Sequence, residues 1–190
     1  MGAGLATIYA EPASEPVTAA VAKAHLRLDT DDDAAAVARL IPAARRWIEQ
    51  RFWLGVFTQT WELTLDSFPD EDFIELPKAA NLASITSVSY VDGDGATQTL
   101  VQGTDFEADT KSRPGRVRLC YGKSWPSTRD QWNAVVVRYV VGWASVPEGI
   151  TQAILIVLAW LYENPTPSDV EEPRGVATLM GEYSLARPAA

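Results

Sequence analysis

The chain has 190 residues, 47% hydrophobic and 22% charged, a composition typical of a globular protein with one domain or two small ones. Sixteen basic residues against 25 acidic ones give a net charge of −9, which argues against broad binding to a nucleic-acid backbone. The single cysteine, Cys120, excludes an intrachain disulfide and a CxxC metal site.

The first third of the chain is expected to be helical after a flexible N-terminal lead over residues 1–15, which lacks the features of a secretory signal. A short helix is predicted from Thr18 to Leu28, with the Thr18 side chain as its cap. A second helix is predicted from Asp33 to Phe52, although Pro42 lies inside it, where proline usually kinks a helix. The polar residues of this helix are expected to face away from the core: Arg39, Arg45, Arg46, Glu49 and Gln50.

From Phe57 the spacing of apolar residues changes to every second position, which is typical of strands. Two glycines in Asp92-Gly-Asp-Gly95 indicate a hairpin turn between two of these strands. The predicted strands are Thr58–Leu65, Phe73–Leu76, Ile85–Val91, Gln98–Val101, Asp105–Ala108, Arg116–Tyr121 and Ala134–Gly142. Residues 55–144 are therefore predicted to form an antiparallel β unit of five to seven strands.

A strongly apolar helix is predicted from Ser145 to Asn164. Ser145 and Glu148 have the spacing of a capping box, and Pro165 ends the helix. The unbroken apolar run Ala153–Tyr162 is about half of the ~20 residues that a membrane span requires. We therefore expect this helix to be covered by its own chain or by sister subunits.

The predicted fold class is α+β, a small helical bundle with an inserted β unit. Residues 16–54 and 145–164 form the helical lobe, and residues 165–190 are a linker and a C-terminal docking segment. Within that segment Gly175–Leu185 is predicted to be a short helix.

No catalytic, cofactor-binding or metal-binding residue is predicted, and no cofactor. His25 is the only histidine and lies on a helix, without a sequence signature of nucleophilic catalysis. The acidic run Asp29–Asp33 resembles a calcium loop but has Ala34 and Leu40 where glycine and glutamate are required. Gly122-Lys-Ser124 lacks the glycine and the helix of a phosphate-binding loop.

Six of the seven tryptophans divide into two groups of different expected roles. Trp47, Trp61 and Trp160 lie in apolar patterns and are predicted to be core residues. Trp125, Trp132 and Trp143 lie in or near loops, where they either stack on sugar rings or fill a subunit interface.

Several segments, in their order and spacing from Glu15 to Asn164, resemble the head–tail connector (adaptor, or head-completion) proteins of long-tailed phages, prophages and gene transfer agents. The segments are EPVTAAVAKAHLRLDTDDD, TQTWELTLDSFP, IELP, ITSVSYVDGDG, PGRVRL, GKSWPSTRDQWNAVVVRYVVGW and VPEGITQAILIVLAWLYEN. Pro42 and the stretch after Pro165 depart from the family pattern.

The resemblance implies a non-enzymatic virion protein at the head–tail interface, assembled in the cytoplasm of a bacterial host. It implies a ring of copies, commonly dodecameric, that contacts the portal protein and a downstream tail connector or stopper protein. DNA would pass through the lumen without specific binding, and no membrane is involved. The residues assigned to partner docking by this analogy are Val176, Leu179, Met180, Tyr183 and Leu185.

Two other functions stay open at this point. The loop tryptophans are also compatible with a β-rich module of a phage tail that binds carbohydrate. An enzyme with a carboxylate site would require a deep pocket that holds paired acids with perturbed pKa values.

Overall fold

The computed structural model describes residues 4–30, 33–165 and 173–184, in which there are eight strands and four helices. The strands are β1 Leu5–Ala10, β2 Gln59–Leu65, β3 Phe73–Glu75, β4 Leu82–Val91, β5 Thr97–Thr99, β6 Phe106–Asp109, β7 Arg116–Leu119 and β8 Val135–Val141. The helices are α1 Ala19–Leu26, α2 Ala34–Arg51, α3 Glu148–Glu163 and α4 Arg174–Met180. The predicted α+β class is confirmed.

The strands form two antiparallel sheets, one of five strands in the order β1-β2-β8-β4-β5 and one of three in the order β3-β7-β6. In β2, Trp61 and Leu63 are buried, as their alternation predicts, and pair in register with Tyr139 and Val137 of β8. These side chains join a buried cluster that also includes Leu76, Val88 and Val117 of the neighbouring segments. The two sheets therefore share one apolar core.

The predicted hairpin at Asp92–Gly95 is confirmed between β4 and β5. The Asp92 carboxylate accepts hydrogen bonds from the backbone N–H groups of Asp94 and Ala96, and Gly95 has a φ of 87°. A side chain is rarely tolerated at that angle, so glycine allows the turn.

The helices pack around a second cluster centred on the contact between α2 and α3. On α3, Ile150, Ile154 and Leu158 are completely buried, whereas residues 159–162 at the end of its apolar run are half-buried. The Thr18 side chain accepts the Val21 N–H, so the predicted cap of α1 is confirmed. The helix α2 continues through Pro42. No helix in the described ranges is long and apolar enough to cross a membrane.

The expectation of a flexible lead over residues 1–15 is wrong for Leu5–Ala10, which forms an edge strand paired with β2. Within it, Ala6 and Ile8 pack against the core of the sheet, and Tyr9 lies under the Arg138 guanidinium, 4.1 Å from ring centroid to Cζ. These contacts add to the backbone pairing with β2 and stabilise the strand at the edge of the sheet.

The predicted capping box at the start of α3 is also wrong. The helix begins at Glu148, and Pro147 is its N-cap, with an extended ψ of 144°. The Glu148 carboxylate instead accepts a hydrogen bond from the Gln152 side chain, one turn further along the helix. The helix therefore starts too late for Ser145 to reach its first N–H groups.

Candidate functional site

Four of the five residues predicted to dock a partner lie together on α4 and its C-terminal turn, packed against the helical core. Val176 is 1% exposed and Met180 is fully buried, while Leu179 and Tyr183 are half-buried against the same cluster. Leu185 lies outside the described residues. In this arrangement the segment contributes to the core of its own chain, and its role in partner binding stays a prediction.

Of the three loop tryptophans, two pack against other aromatic side chains of the same chain. Trp125 stacks on Phe68 with 4.7 Å between ring centroids and donates its indole N–H to the Glu71 carbonyl at 2.8 Å. The rings of Trp143 and Tyr183 pack edge to face, with 5.9 Å between their centroids. Trp132, in contrast, is 86% exposed.

The carboxylates with a shifted pKa in the β region have structural partners. The Ser112 hydroxyl and backbone N–H, followed by the Arg116 guanidinium, hold the pKa of Asp109 well below its usual range. Hydrogen bonds from Gln98 and the Ala96 N–H lower the pKa of Asp92. Among the residues that the structure describes, no three histidine, cysteine or acidic side chains are grouped so that they could hold a metal ion.

A buried ion-pair network was missed by sequence reasoning, which placed Arg45 and Glu49 on the outer face of α2. Both are almost completely buried, at 2% and 3% exposure. Arg45 forms ion pairs with Glu49 at 2.9 Å, with Glu15 at 2.8 Å and with Glu11 at 3.2 Å. The i,i+4 spacing of Arg45 and Glu49 was the available signal, but charge pairs at this spacing also occur on exposed helix faces.

The network connects α2 to the five-stranded sheet. The other Glu49 oxygen accepts hydrogen bonds from the Val56 N–H and from the side chain of Gln59, the first residue of β2. Lys78 donates to the Glu49 carbonyl at 2.8 Å and lies over the Trp53 ring. We call the residues of this network the α2–sheet joint. They are Glu11, Glu15, Arg45, Glu49, Val56, Gln59 and Lys78.

Burial raises the pKa of Glu49, although the Val56 N–H and the charge of Arg45 oppose that effect. Burial also disfavours the charge on Arg45, but the Glu15 hydrogen bond and the neighbouring carboxylates outweigh it and raise the Arg45 pKa. Buried charges are tolerated when each is paired and hydrogen-bonded, so the joint is a structural device.

The loops at the end of the five-stranded sheet away from α2 contain several acidic residues and an exposed tryptophan. Leu65 and Tyr90 both pair with Val135 at this end, whereas Gln59 and Leu82 pair with Val141 near the helices. We define the acidic end of the sheet as Asp66, Asp92, Asp94, Asp130 and Trp132.

A groove of about 630 Å³ at the acidic end is lined by Asp66, Arg129, Asp130 and Trp132, among others. The Asp66 carboxylate accepts the Asn133 N–H at 2.9 Å, which fixes the loop that presents Trp132. The Arg129 guanidinium lies against Gly95, so the β4–β5 turn belongs to the same surface.

The outer face of α2 has the opposite charge. Four exposed residues at helical spacing define this face: Arg39, Ala43, Arg46 and Gln50. The only acidic residue of α2 is Glu49, which is buried in the joint, and α1 contains none. Arg46 pairs with Glu11 at 2.7 Å and stays 55% exposed. We call these four residues the basic face of α2.

No protein-family model matches the sequence, and no curated protein matches it either. Solved structures do match over almost the whole chain. A chain from the neck of an empty gene transfer agent (GTA) particle, computed with C6 symmetry, has a TM-score of 0.80 and 21% identity over 97% of both chains. A chain from the virion of a native GTA particle has a TM-score of 0.78 and 21% identity over 97% of both chains.

A third structure, the neck of a native GTA particle computed with C12 symmetry, contains a chain with a TM-score of 0.71 and 21% identity. The match covers 96% of this chain and 98% of that one. At this identity the similarity concerns the path of the backbone and not individual side chains. The chain thus has the fold of a protein chain found in the necks and virions of gene transfer agent particles.

Proposed function

We propose that this chain is a structural protein of a phage-like particle and that it acts in the neck, where head and tail meet. The observation that carries the proposal is the fold match at a TM-score of 0.80 over 97% of both chains with a chain of a GTA neck. Similarity over the full length of both chains is more informative than a shared domain, because it includes the connections between lobes. A fold alone does not determine function, so the proposal needs a direct test.

In finer detail, we propose a subunit of the head–tail connector (adaptor) ring that docks on the portal and forms a DNA conduit to the tail. The family resemblance of seven segments and the C6 and C12 symmetries of the matched particle structures support a ring. A net charge of −9 suits a conduit, because a wall that attracted phosphates would retain the DNA. We therefore expect acidic side chains to line the lumen.

The test is to image particles and to remove the polypeptide from them. Particles that carry a tagged copy should show the tag in a ring at the portal vertex, and particles without the chain should contain filled heads that lack tails. Purified particles that do not contain the polypeptide would refute the proposal. A ring map with a basic lumen would refute the expectation that acidic side chains line it.

We also propose that the C-terminal segment with Val176, Leu179, Met180, Tyr183 and Leu185 contacts the portal. Because Val176 and Met180 are buried, contact through them would require α4 to leave the helical core. Deletion of the segment would confound docking with folding, so point variants are preferable. Ala177→Arg and Thr178→Arg change exposed positions of α4 and should weaken portal attachment without unfolding the chain.

The second candidate is a module that binds carbohydrate, favoured by the single observation that Trp132 is exposed beside the acidic groove. Stacking on a sugar ring would quench Trp132 fluorescence. Titration with glycans should change the emission of the wild type and leave Trp132→Phe unchanged if this function is correct. An unchanged wild-type spectrum would eliminate it.

A further inference from the structure

We propose that the acidic end of the sheet in one copy docks on the basic face of α2 in the next copy. The proposal rests on the proposed function in one respect, namely that copies of the chain form a ring. It specifies which two surfaces meet, and the occupant of each surface is a second copy of this chain.

The first argument is charge. The acidic end has four carboxylates and one guanidinium, that of Arg129. The basic face of α2 has Arg39 and Arg46 and no exposed carboxylate of its own helix, because Glu49 is buried against Arg45; Glu11, from the segment after β1, pairs with Arg46 and leaves Arg39 as the second positive charge. Complementary potentials of this kind steer association and select one register of contact over others.

The second argument is shape. Trp132 is 86% exposed, and a tryptophan of that exposure is a frequent anchor of protein interfaces. On α2, Ala43 lies between Arg39 and Arg46, and Ala35 and Ala38 are also exposed. The small side chain of Ala43 between the two arginines leaves room for an indole ring to lie on the helix and to be flanked by cations.

The third argument is position. The acidic end lies at the sheet terminus remote from the α2–sheet joint, as the pairing of Leu65 with Val135 and of Gln59 with Val141 shows. The two surfaces therefore belong to opposite parts of the chain. A contact between two different patches is heterologous, and repetition of a heterologous contact generates a closed ring when the rotation closes.

Disulfide cross-linking tests the contact directly. Trp132→Cys and Ala43→Cys are combined with Cys120→Ser, so that the only thiols are one on each surface. Under mild oxidation, assembled rings of this variant should yield a ladder of covalent multimers. The matched control is Tyr121→Cys with Ala43→Cys, because Tyr121 is a fully exposed aromatic residue near the three-stranded sheet. This control should stay monomeric on a denaturing gel.

Charge reversal provides a second readout. Asp94→Lys with Asp130→Lys should lower the yield of rings by about tenfold, and so should Arg39→Glu with Gln50→Glu. These changes leave the Arg46–Glu11 pair intact. The variant with all four changes should recover most of the yield, because both surfaces have exchanged sign.

The outcomes separate the two proposals. If the polypeptide is absent from particles, the proposed function fails. If particles contain a ring of the chain in which the Trp132→Cys/Ala43→Cys variant gives no ladder, or in which the control gives an equal one, the docking proposal fails and the function stands. Failure of the fourfold variant to recover any yield would likewise overturn the charge pairing.

Discussion

Arg45 and Glu49 lie one turn apart on α2, are almost completely buried, and are joined by a hydrogen bond of 2.9 Å between Nη1 and Oε2. Arg45 also binds two glutamates more than 25 residues earlier in the chain, and Glu49 binds the start of β2. One helix turn therefore ties together the segment after β1, the helical core and the five-stranded sheet. Loss of either partner would leave a buried charge without compensation.

We expect Arg45→Met to lower the free energy of unfolding by about 3–5 kcal/mol, because Glu49 would keep its burial and lose its cation. Urea denaturation followed by tryptophan fluorescence measures the change. Arg46→Met is the matched control: its pair with Glu11 is half exposed, and its loss should amount to less than about 1 kcal/mol. Equal losses for the two variants would show that the buried joint is not the stronger element.

The lowered pKa of Asp109 leads us to expect that the stability of the fold depends on pH. Its pKa in the folded chain lies below the unfolded value of about 4, so its contribution to stability is complete above that pH and is lost as the pH falls further. Asp109→Asn should therefore lower the melting temperature at pH 7, and the difference from wild type should shrink as the pH is lowered below about 4. Asp130→Asn, at an exposed loop position, serves as the control. A difference that stays constant with pH would contradict the assignment.

We expect alanine at Gly142 to cause a steric clash as well as backbone strain. Alanine at Gly122 causes the backbone strain alone and so serves as the comparison. Gly142 and Gly122 both have positive φ values, 96° and 76°, so alanine at either position is strained by roughly 1–2 kcal/mol. A β-carbon at Gly142 would also collide with the Phe57 carbonyl, whereas one at Gly122 would meet open space. Thermal unfolding should show a clearly larger loss of stability for Gly142→Ala than for Gly122→Ala. Similar losses would mean that backbone strain alone determines the effect.

Alanine variants of Trp132 and Trp125 should distinguish a loss of ring assembly from a loss of folding stability. Trp132→Ala removes an exposed ring and should change the free energy of unfolding by less than about 0.5 kcal/mol while it lowers the yield of rings. Trp125→Ala removes a stacked ring and the hydrogen bond to Glu71, and should cost about 2–3 kcal/mol of stability. Chemical denaturation and the count of assembled rings are measured in parallel. A Trp132→Ala variant that assembles normally would exclude the ring contact at this residue.

The local elements of this chain were predictable because their signals lie within a few residues of each other. The alternation of Trp61, Leu63 and Leu65 predicts β2, the glycines after Asp92 predict the hairpin, and the apolar run Ala153–Tyr162 predicts a helix that protein covers. The α+β class follows from the same patterns in chain order.

Tertiary structure alone decided which polar residues are buried and which apolar segments already pack against their own chain. Arg45 looks like a surface arginine until Glu11 and Glu15 fold over it, and Val176 and Met180 look available until α4 packs on α3. The strand at Leu5–Ala10 likewise depends on a partner edge more than 50 residues away. Burial of a charge or of a short apolar segment is a property of its neighbours in space, and those neighbours are set by chain contacts that no local pattern of residues encodes.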